Sequence, residues 1–381
     1  MAWPATKNTR RPAGCAPFEV TRPISTANTQ ANSANPADRP LREANQPRKH
    51  HYVPIFYQEL FANASGLLWL YDRKLQTYRQ LRPAVICVEK DLYTLKPDDA
   101  PRDRRMESHY LSFIDSLGAS AIRDVQTGRS LHATSIGALS LFTAHQFTRL
   151  PSTAKAVSAM YAAAGTEAAR QMFANVERAE QVLKKYADET GKPIDVSPES
   201  MVEFVHGNHM KVSATEIAFL KSIIRQAASL SHLIKNLDWQ ILEADAATGF
   251  IICDSPVVVV PPKSIAAVGF AVPGSVKYFP LTRRLCLRLG DFGSGVAVRA
   301  IDRETVRIIN QNIAANSERF IMGPDRAQLE ILVGRSGSTE LDATPRFTVE
   351  TVERDESGAL QKITFHPRRY FYPKNGSPQA P

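Results

Sequence analysis

The sequence predicts an α+β protein: a helical middle section packed on a mixed, mostly antiparallel sheet, preceded by a disordered N-terminal tail. Three observations carry that expectation. Short apolar runs of strand length lie before residue 100 and again after residue 238. Between them, apolar residues recur at helical spacing. Before residue 48 there is no periodicity, and Ala, Asn, Pro, Thr and Arg dominate.

The chain of 381 residues is long enough for one large or two ordinary domains, and its 43% hydrophobic content can build a core without disulfides. Net charge is +9, of which residues 1–49 supply +5, with eight basic residues against three acidic ones. The body is therefore nearly balanced and does not announce a nucleic-acid surface. Cys15, Cys87, Cys253 and Cys286 show no metal-ligand spacing, which points to free thiols in a reducing compartment. No secretory signal is expected. The most apolar window, residues 255–274, is broken by Pro256, Pro261, Pro262 and Pro273 and cannot span a bilayer as a regular helix. A cytoplasmic protein with no membrane contact is the expectation.

In chain order, residues 1–47 form the basic tail, residues 48–322 a single α+β domain, and residues 323–381 a C-terminal extension with a β-hairpin. His50-His51-Tyr52-Val53 is extended before Pro54, which opens a short helix with Ile55, Phe56 and Leu60 on one face. Leu68–Asp72 and Leu75–Leu81 form a hairpin across Asp72-Arg73-Lys74. Ala84–Val88 and Leu92–Leu95 are shorter strands. Met106, Tyr110, Phe113, Ile114 and Leu117 stripe a helix from Arg104 to Leu117, with Glu107 at its edge.

A helix over Ser135–Leu150 stops before Pro151. Ser152 caps an alanine-rich helix running towards Tyr186, bent near Gly165. Ser197-Pro198 starts another helix. Ser213-Ala214-Thr215-Glu216 is a capping box for an amphipathic helix through Leu237. Strands follow at Trp239–Leu242, Gly249–Cys253, Val257–Val260, Lys277–Leu281 and Leu285–Leu289. Asp302 caps a helix carrying Val306, Ile309 and Ile313. Arg346–Glu353 and Leu360–His366 close the chain as a hairpin.

Several separated stretches then agree, in order, with one family. They are His50-His51-Tyr52-Val53-Pro54-x-Phe56-Tyr57, Leu68-Trp69-Leu70-Tyr71-Asp72, Tyr93, Met106-Glu107 and Gln146-x-x-Arg149-x-Pro151. Later come Trp239-x-x-Leu242, Phe250-Ile251-x-x-Asp254-x-Pro256, Phe279-Pro280-Leu281 and Asn310. Over roughly residues 48–322 the chain resembles the domain of unknown function numbered 4238. It departs from that pattern at Cys253 and Arg283. The resemblance implies candidate positions and no reaction.

The candidate site residues are polar groups that interrupt apolar runs. His51, Glu107 and Asp254 are the candidate catalytic groups, an acid/base and two water-activating or metal-binding carboxylates. His50, Arg149 and Asn310 are the candidate substrate contacts, with Arg149 suited to an anion. These are expected to converge in one pocket. A structural reading stands beside it. Asp254 accepts from Val257 in an Asx-type turn, Arg149 pairs with Glu107, and Asn310 satisfies backbone at a strand end.

Glu203, His206 and His209 have metal-like spacing at a helix end, but exposed histidines explain them as well. Gly290-x-x-Gly293-x-Gly295 imitates a phosphate loop, lacks Lys-Ser/Thr after it, and reads as a flexible turn. Arg368-Arg369-Tyr370-Phe371-Tyr372 suits nucleic-acid stacking or a charged edge strand equally. The expected function is an intracellular hydrolase of a phosphodiester or other phosphorylated substrate. The alternative is a non-catalytic binding module for nucleic acid or a protein partner. No cofactor or metal is assigned.

Overall fold

A computed structural model of the chain describes residues 48–96, 101–128, 131–207, 210, 212–245, 247–265, 269–293, 295–336, 347–354, 358–365 and 369–373. The expected tail at 1–47 lies outside them, as do His209 and Arg368. The described residues all fall in one unit, Glu43–Pro381.

β1 (Lys49–His51) leads into Pro54, which stands as N-cap rather than first residue of α1 (Ile55–Glu59). β2 (Leu68–Asp72) and β3 (Thr77–Leu81) make the expected hairpin, and the Asp72 carboxylate accepts from the Lys74 and Leu75 amides in the turn. The expected strand at 84–88 is instead a 3-10 turn, Pro83–Val85, followed by β4 (Val88–Lys90), which pairs antiparallel with β1. Between them Cys87 sits at φ 56°, a left-handed conformation that no regular strand contains. Residues 92–95 make only an isolated bridge, Leu95 to Asp103.

The helix expected from Arg104 begins as a π-helical turn, Met106–Leu111, and becomes regular in α2 (Ser112–Gln126). The wider turn shifts the apolar stripe, so Phe113 is exposed while Leu111 and Ile114 are buried. α3 (Ala133–Thr148) ends beside Arg149. The long helix expected up to Tyr186 is two. α4 (Pro151–Met172) has Leu150 rather than Ser152 as N-cap, and α5 (Val176–Thr190) is restarted by the Asn175 side chain, which accepts from the Arg178 amide. α6 (Pro198–His206) is capped by Ser197 as expected. α7 (Glu216–Lys235) starts at Thr215 with no side-chain cap bond, so the capping box is not formed.

The remaining strands are β5 (Asp238–Ala244), β6 (Ile252–Cys253), β7 (Val258–Val260), β8 (Val276–Pro280), β9 (Leu285–Gly290) and β10 (Val296–Ile301). α8 (Arg303–Asn316) is capped by Asp302, whose side chain accepts from Thr305. Then follow β11 (Phe320–Gly323), α9 (Arg326–Ser336), and the terminal hairpin β12 (Phe347–Arg354) with β13 (Gly358–Phe365).

Two larger sheets result. One has the order β10-β5-β9-β8-β7, with β10 parallel to β5 and every other pair antiparallel. The other has the order β3-β2-β11-β6 and is antiparallel throughout. The fold is α+β, with a mixed, mostly antiparallel sheet. Aromatic packing ties the N-terminal stretch to both layers. The fully buried Tyr57 stacks on Phe279 of β8 at 5.3 Å and meets Phe142 of α3 edge-on at 6.2 Å. Its hydroxyl donates to the Pro280 carbonyl at 2.6 Å. That anchoring fixes where β1, and hence His51, lies against α2 and α3.

Candidate functional site

His51 ends β1 and is partly exposed. Its Nε2 donates to the Ala84 carbonyl at 3.1 Å. This bond assigns the proton to Nε2 and leaves Nδ1 as a lone-pair acceptor. Burial, followed by other contributions that include the Arg149 charge, holds the imidazole below its ordinary pKa.

The carboxylate of Glu107, in the π-helical turn, faces the backbone N–H of His51. Burial pushes Glu107 up to about 7. The Arg149 guanidinium and the His51 amide pull the other way, while Asp115 adds to the rise. Glu107 Oε2 is buried and meets no hydrogen-bond donor among the described residues.

Arg149 is the fully buried centre of the group. Its Nη1 donates to Asp115 Oδ1 at 2.8 Å and its Nε to the Tyr52 carbonyl at 3.0 Å. With the Gln146 amide oriented to satisfy both groups, the Gln146 oxygen accepts from Arg149 as well. The Tyr93 hydroxyl donates to the Arg149 carbonyl at 2.6 Å. Asp115 is pushed up by burial and held back by Arg149. On α3, His145 Nε2 lies 3.1 Å from the Tyr110 hydroxyl. Burial, with Arg149 beside it, lowers the His145 pKa to about 3, so the ring is neutral at ordinary pH.

The structure thus brings together His51, Glu107 and Arg149. Arg149 pairs with Asp115 rather than with Glu107. The other three candidates have separate surroundings. His50 is buried, accepts at Nδ1 from the Tyr93 amide at 2.9 Å, and stacks on the Tyr93 ring at 5.6 Å.

Among the described residues no hydrogen bond or ion pair joins Asp254 to the His51 group, and its charge acts on Tyr52, Cys87 and Arg319. Its carboxylate accepts from the amides of Glu318, Arg319 and Phe320 at 2.9, 2.7 and 3.1 Å, and not from Val257. Burial and the neighbouring Glu318 raise its pKa to about 6, against the pull of those three amides. Asn310 bridges backbone, accepting from the Ile251 amide and donating to the Gly249 carbonyl. Cys253, at the first departure from the family pattern, is buried and donates to the Ser255 carbonyl.

Asp115, His145 and Tyr110 belong to the group, and sequence reasoning did not single them out. A signal existed for two of them. Glu107 and Asp115 are eight residues apart, two helical turns, and His145 precedes Arg149 by four, so each pair shares a helix face.

Other motifs have structural explanations. The amides of Phe292, Gly293 and Gly295 all donate to the Asp238 carboxylate, at 2.6, 2.7 and 2.9 Å. The glycine-rich turn is therefore pinned by an acid, and these three amides are spent on Asp238 rather than open to a phosphate. His206 Nε2 donates to the Phe173 carbonyl at 3.0 Å. Among the described residues no three His, Cys, Asp or Glu side chains gather as metal ligands, and no helix is long and apolar enough to cross a membrane. Two cavities, of about 740 and about 610 Å³, are lined by other residues than the His51 group.

Fold and site together define an α+β protein with a cluster of ionisable side chains, His51, Glu107, Asp115 and His145, around a buried arginine. The chain belongs to the family described as "Protein of unknown function (DUF4238)", whose sequence model matches residues 49–327. No curated protein and no solved structure matches it significantly.

Proposed function

We propose that the chain is a cytoplasmic hydrolase that cleaves a phosphodiester or another phosphorylated compound by general acid–base chemistry at His51 and Glu107. The observation that carries the reading is the Glu107 carboxyl, raised to about 7 and set against the backbone amide of His51, whose own imidazole burial holds below its ordinary pKa. Two titratable groups with environments that push their pKa values apart supply an acid and a base at one pH. His51 Nδ1 takes a proton from the attacking water. The P–O bond to the leaving oxygen breaks as that oxygen receives the Glu107 proton. The imidazolium then returns its proton to Glu107 through solvent. Arg149 holds Asp115 and the Tyr52 carbonyl in place and acts on the site through its charge. Among the described residues no disulfide joins the buried Cys87, Cys253 and Cys286, which supports a reducing compartment.

The test is turnover of bis(p-nitrophenyl) phosphate and p-nitrophenyl phosphate by the purified chain. His51→Ala and Glu107→Gln are each expected to lower kcat by about 100-fold or more. Turnover untouched by both substitutions removes them from the chemistry. One observation favours a second reading, a non-catalytic module that binds nucleic acid or a protein partner. Arg149, Asp254 and Asn310 spend their hydrogen bonds on the protein itself. Wild-type chain that turns over neither substrate selects that reading.

A further inference from the structure

The cavity of about 610 Å³ lies where β5, β8, β9 and β10 meet the start of α8 and residues 371–373. Three cationic residues line it, Lys263, Arg288 and Arg299, and among the described residues no Asp or Glu does.

The walls are built rather than loose. Arg288 Nη1 donates to Gln240 Oε1 at 2.7 Å, and its guanidinium carbon lies 4.1 Å from the Phe292 ring centroid. Arg288 Nε is buried without a hydrogen-bond acceptor among the described residues. Burial presses the Arg288 pKa down, the hydrogen-bonded Tyr278 hydroxyl pulls it up, and the Arg299 charge adds to the fall, so an anion placed here relieves the two guanidinium groups.

On the opposite wall, Asn312 grips Phe371 from both sides. Its Nδ2 donates to the Phe371 carbonyl at 2.9 Å and its Oδ1 accepts from the Phe371 amide at 3.0 Å. The Tyr372 hydroxyl donates to the Pro261 carbonyl at 2.9 Å, which holds that ring beside the groove, 5.2 Å from Lys263 Nζ. Tyr278 supplies a second aromatic ring to the lining.

We infer that this groove is a binding site for a nucleoside phosphate. Arginine and lysine donors suit phosphate oxygens, and fixed tyrosine rings suit a planar base. The volume lies within the roughly 300–1,000 Å³ of small-ligand sites, so a mononucleotide rather than a long strand is the occupant. The site shares no residue with the His51 group, and it stands whether or not that group is catalytic.

The test is calorimetric titration of the full chain with the four ribonucleoside 5′-monophosphates. The four nucleosides and inorganic phosphate form separate arms. At least one nucleotide is expected to bind saturably, about tenfold or more tighter than its nucleoside and than phosphate. Arg299→Gln and Lys263→Met are each expected to weaken it by about tenfold. Thermal unfolding of both variants is read beside the titration, and a variant that is folded at the titration temperature reports on the site. Binding of phosphate alone as tightly as any nucleotide overturns the assignment of the base. Absence of nucleotide binding, or affinity unchanged in both variants, overturns the site.

Discussion

Glu107 is held where its proton matters to folding as well as to chemistry. Its folded pKa of about 7 stands above the 4.5 of an ordinary glutamate, because burial penalises the anion. The folded chain therefore holds the extra proton between those values, and the Glu107 contribution to stability is lost as pH rises through that window. The shift corresponds to on the order of 3 kcal/mol. His145 has the opposite sign. Its folded pKa of about 3 lies below the ordinary 6.5, so its contribution is lost as pH falls. The difference between variant and wild type isolates Glu107. Relative to wild type, Glu107→Gln is expected to gain stability as pH goes from about 4.5 to above 7, read by urea unfolding at each pH. An unfolding difference that is flat across that interval contradicts the burial argument. The sequence showed Glu107 and Arg149 as polar breaks in apolar stripes. It did not show Asp115 as the partner of Arg149, because the two stand 34 residues apart and their pairing leaves no local mark. Nor did it show that the backbone amides of residues 318–320 saturate Asp254, a contact between segments 64 to 66 residues apart.

At the scale of elements, the pair α2 and α3 sets the site, since Glu107 and Asp115 come from one arm and His145, Gln146 and Arg149 from the other. Gly118 lets the two helices close. A Cβ there would overlap the Phe142 ring, whereas one at Gly137 would meet nothing within 4 Å. Gly118→Ala is expected to destabilise by about 1–3 kcal/mol through that overlap, despite the better helix propensity of alanine. Gly137→Ala is expected to stabilise by up to about 1 kcal/mol. Thermal unfolding of the two variants separates them, and equal shifts of the same sign contradict this packing. Caps with a short-range signature were legible, as at Ser197 and Asp302. The π-helical turn at 106–111 was not, because a stripe spaced at 3.6 residues reads through a widened turn almost unchanged. The break between α4 and α5 was also hidden, since the alanine-rich α4 and the charged α5 both favour helix and the Asn175 side chain restarts it.

Across the whole molecule, a few side chains with long reach tie distant segments together. Arg319 donates to Asp72, joining the end of β2 to the approach to β11, and Arg79 of β3 reaches the same carboxylate. Along α8, Asn310 holds residues 249–251, Asn316 holds Ser255 and Val257, and Asn312 holds Phe371. One helix thus fixes strand ends of both sheets and one wall of the cationic groove. The α+β class was legible because strand-length and helix-length patterns occupy different parts of the chain. The order of strands was not, because pairing such as β10 beside β5 depends on contacts made across the intervening residues 245–295 and leaves no local mark. The groove was equally hidden, as its cations come from residues 263, 288 and 299 on separate segments.

The most direct measurement is the carbon-13 titration of the Glu107 side-chain carboxyl in the folded chain, assigned by its loss in Glu107→Gln. A midpoint near 7 is what the buried setting beside His51, Arg149 and Asp115 requires. A midpoint near 4.5, that of an exposed glutamate, contradicts the acid–base site at its root.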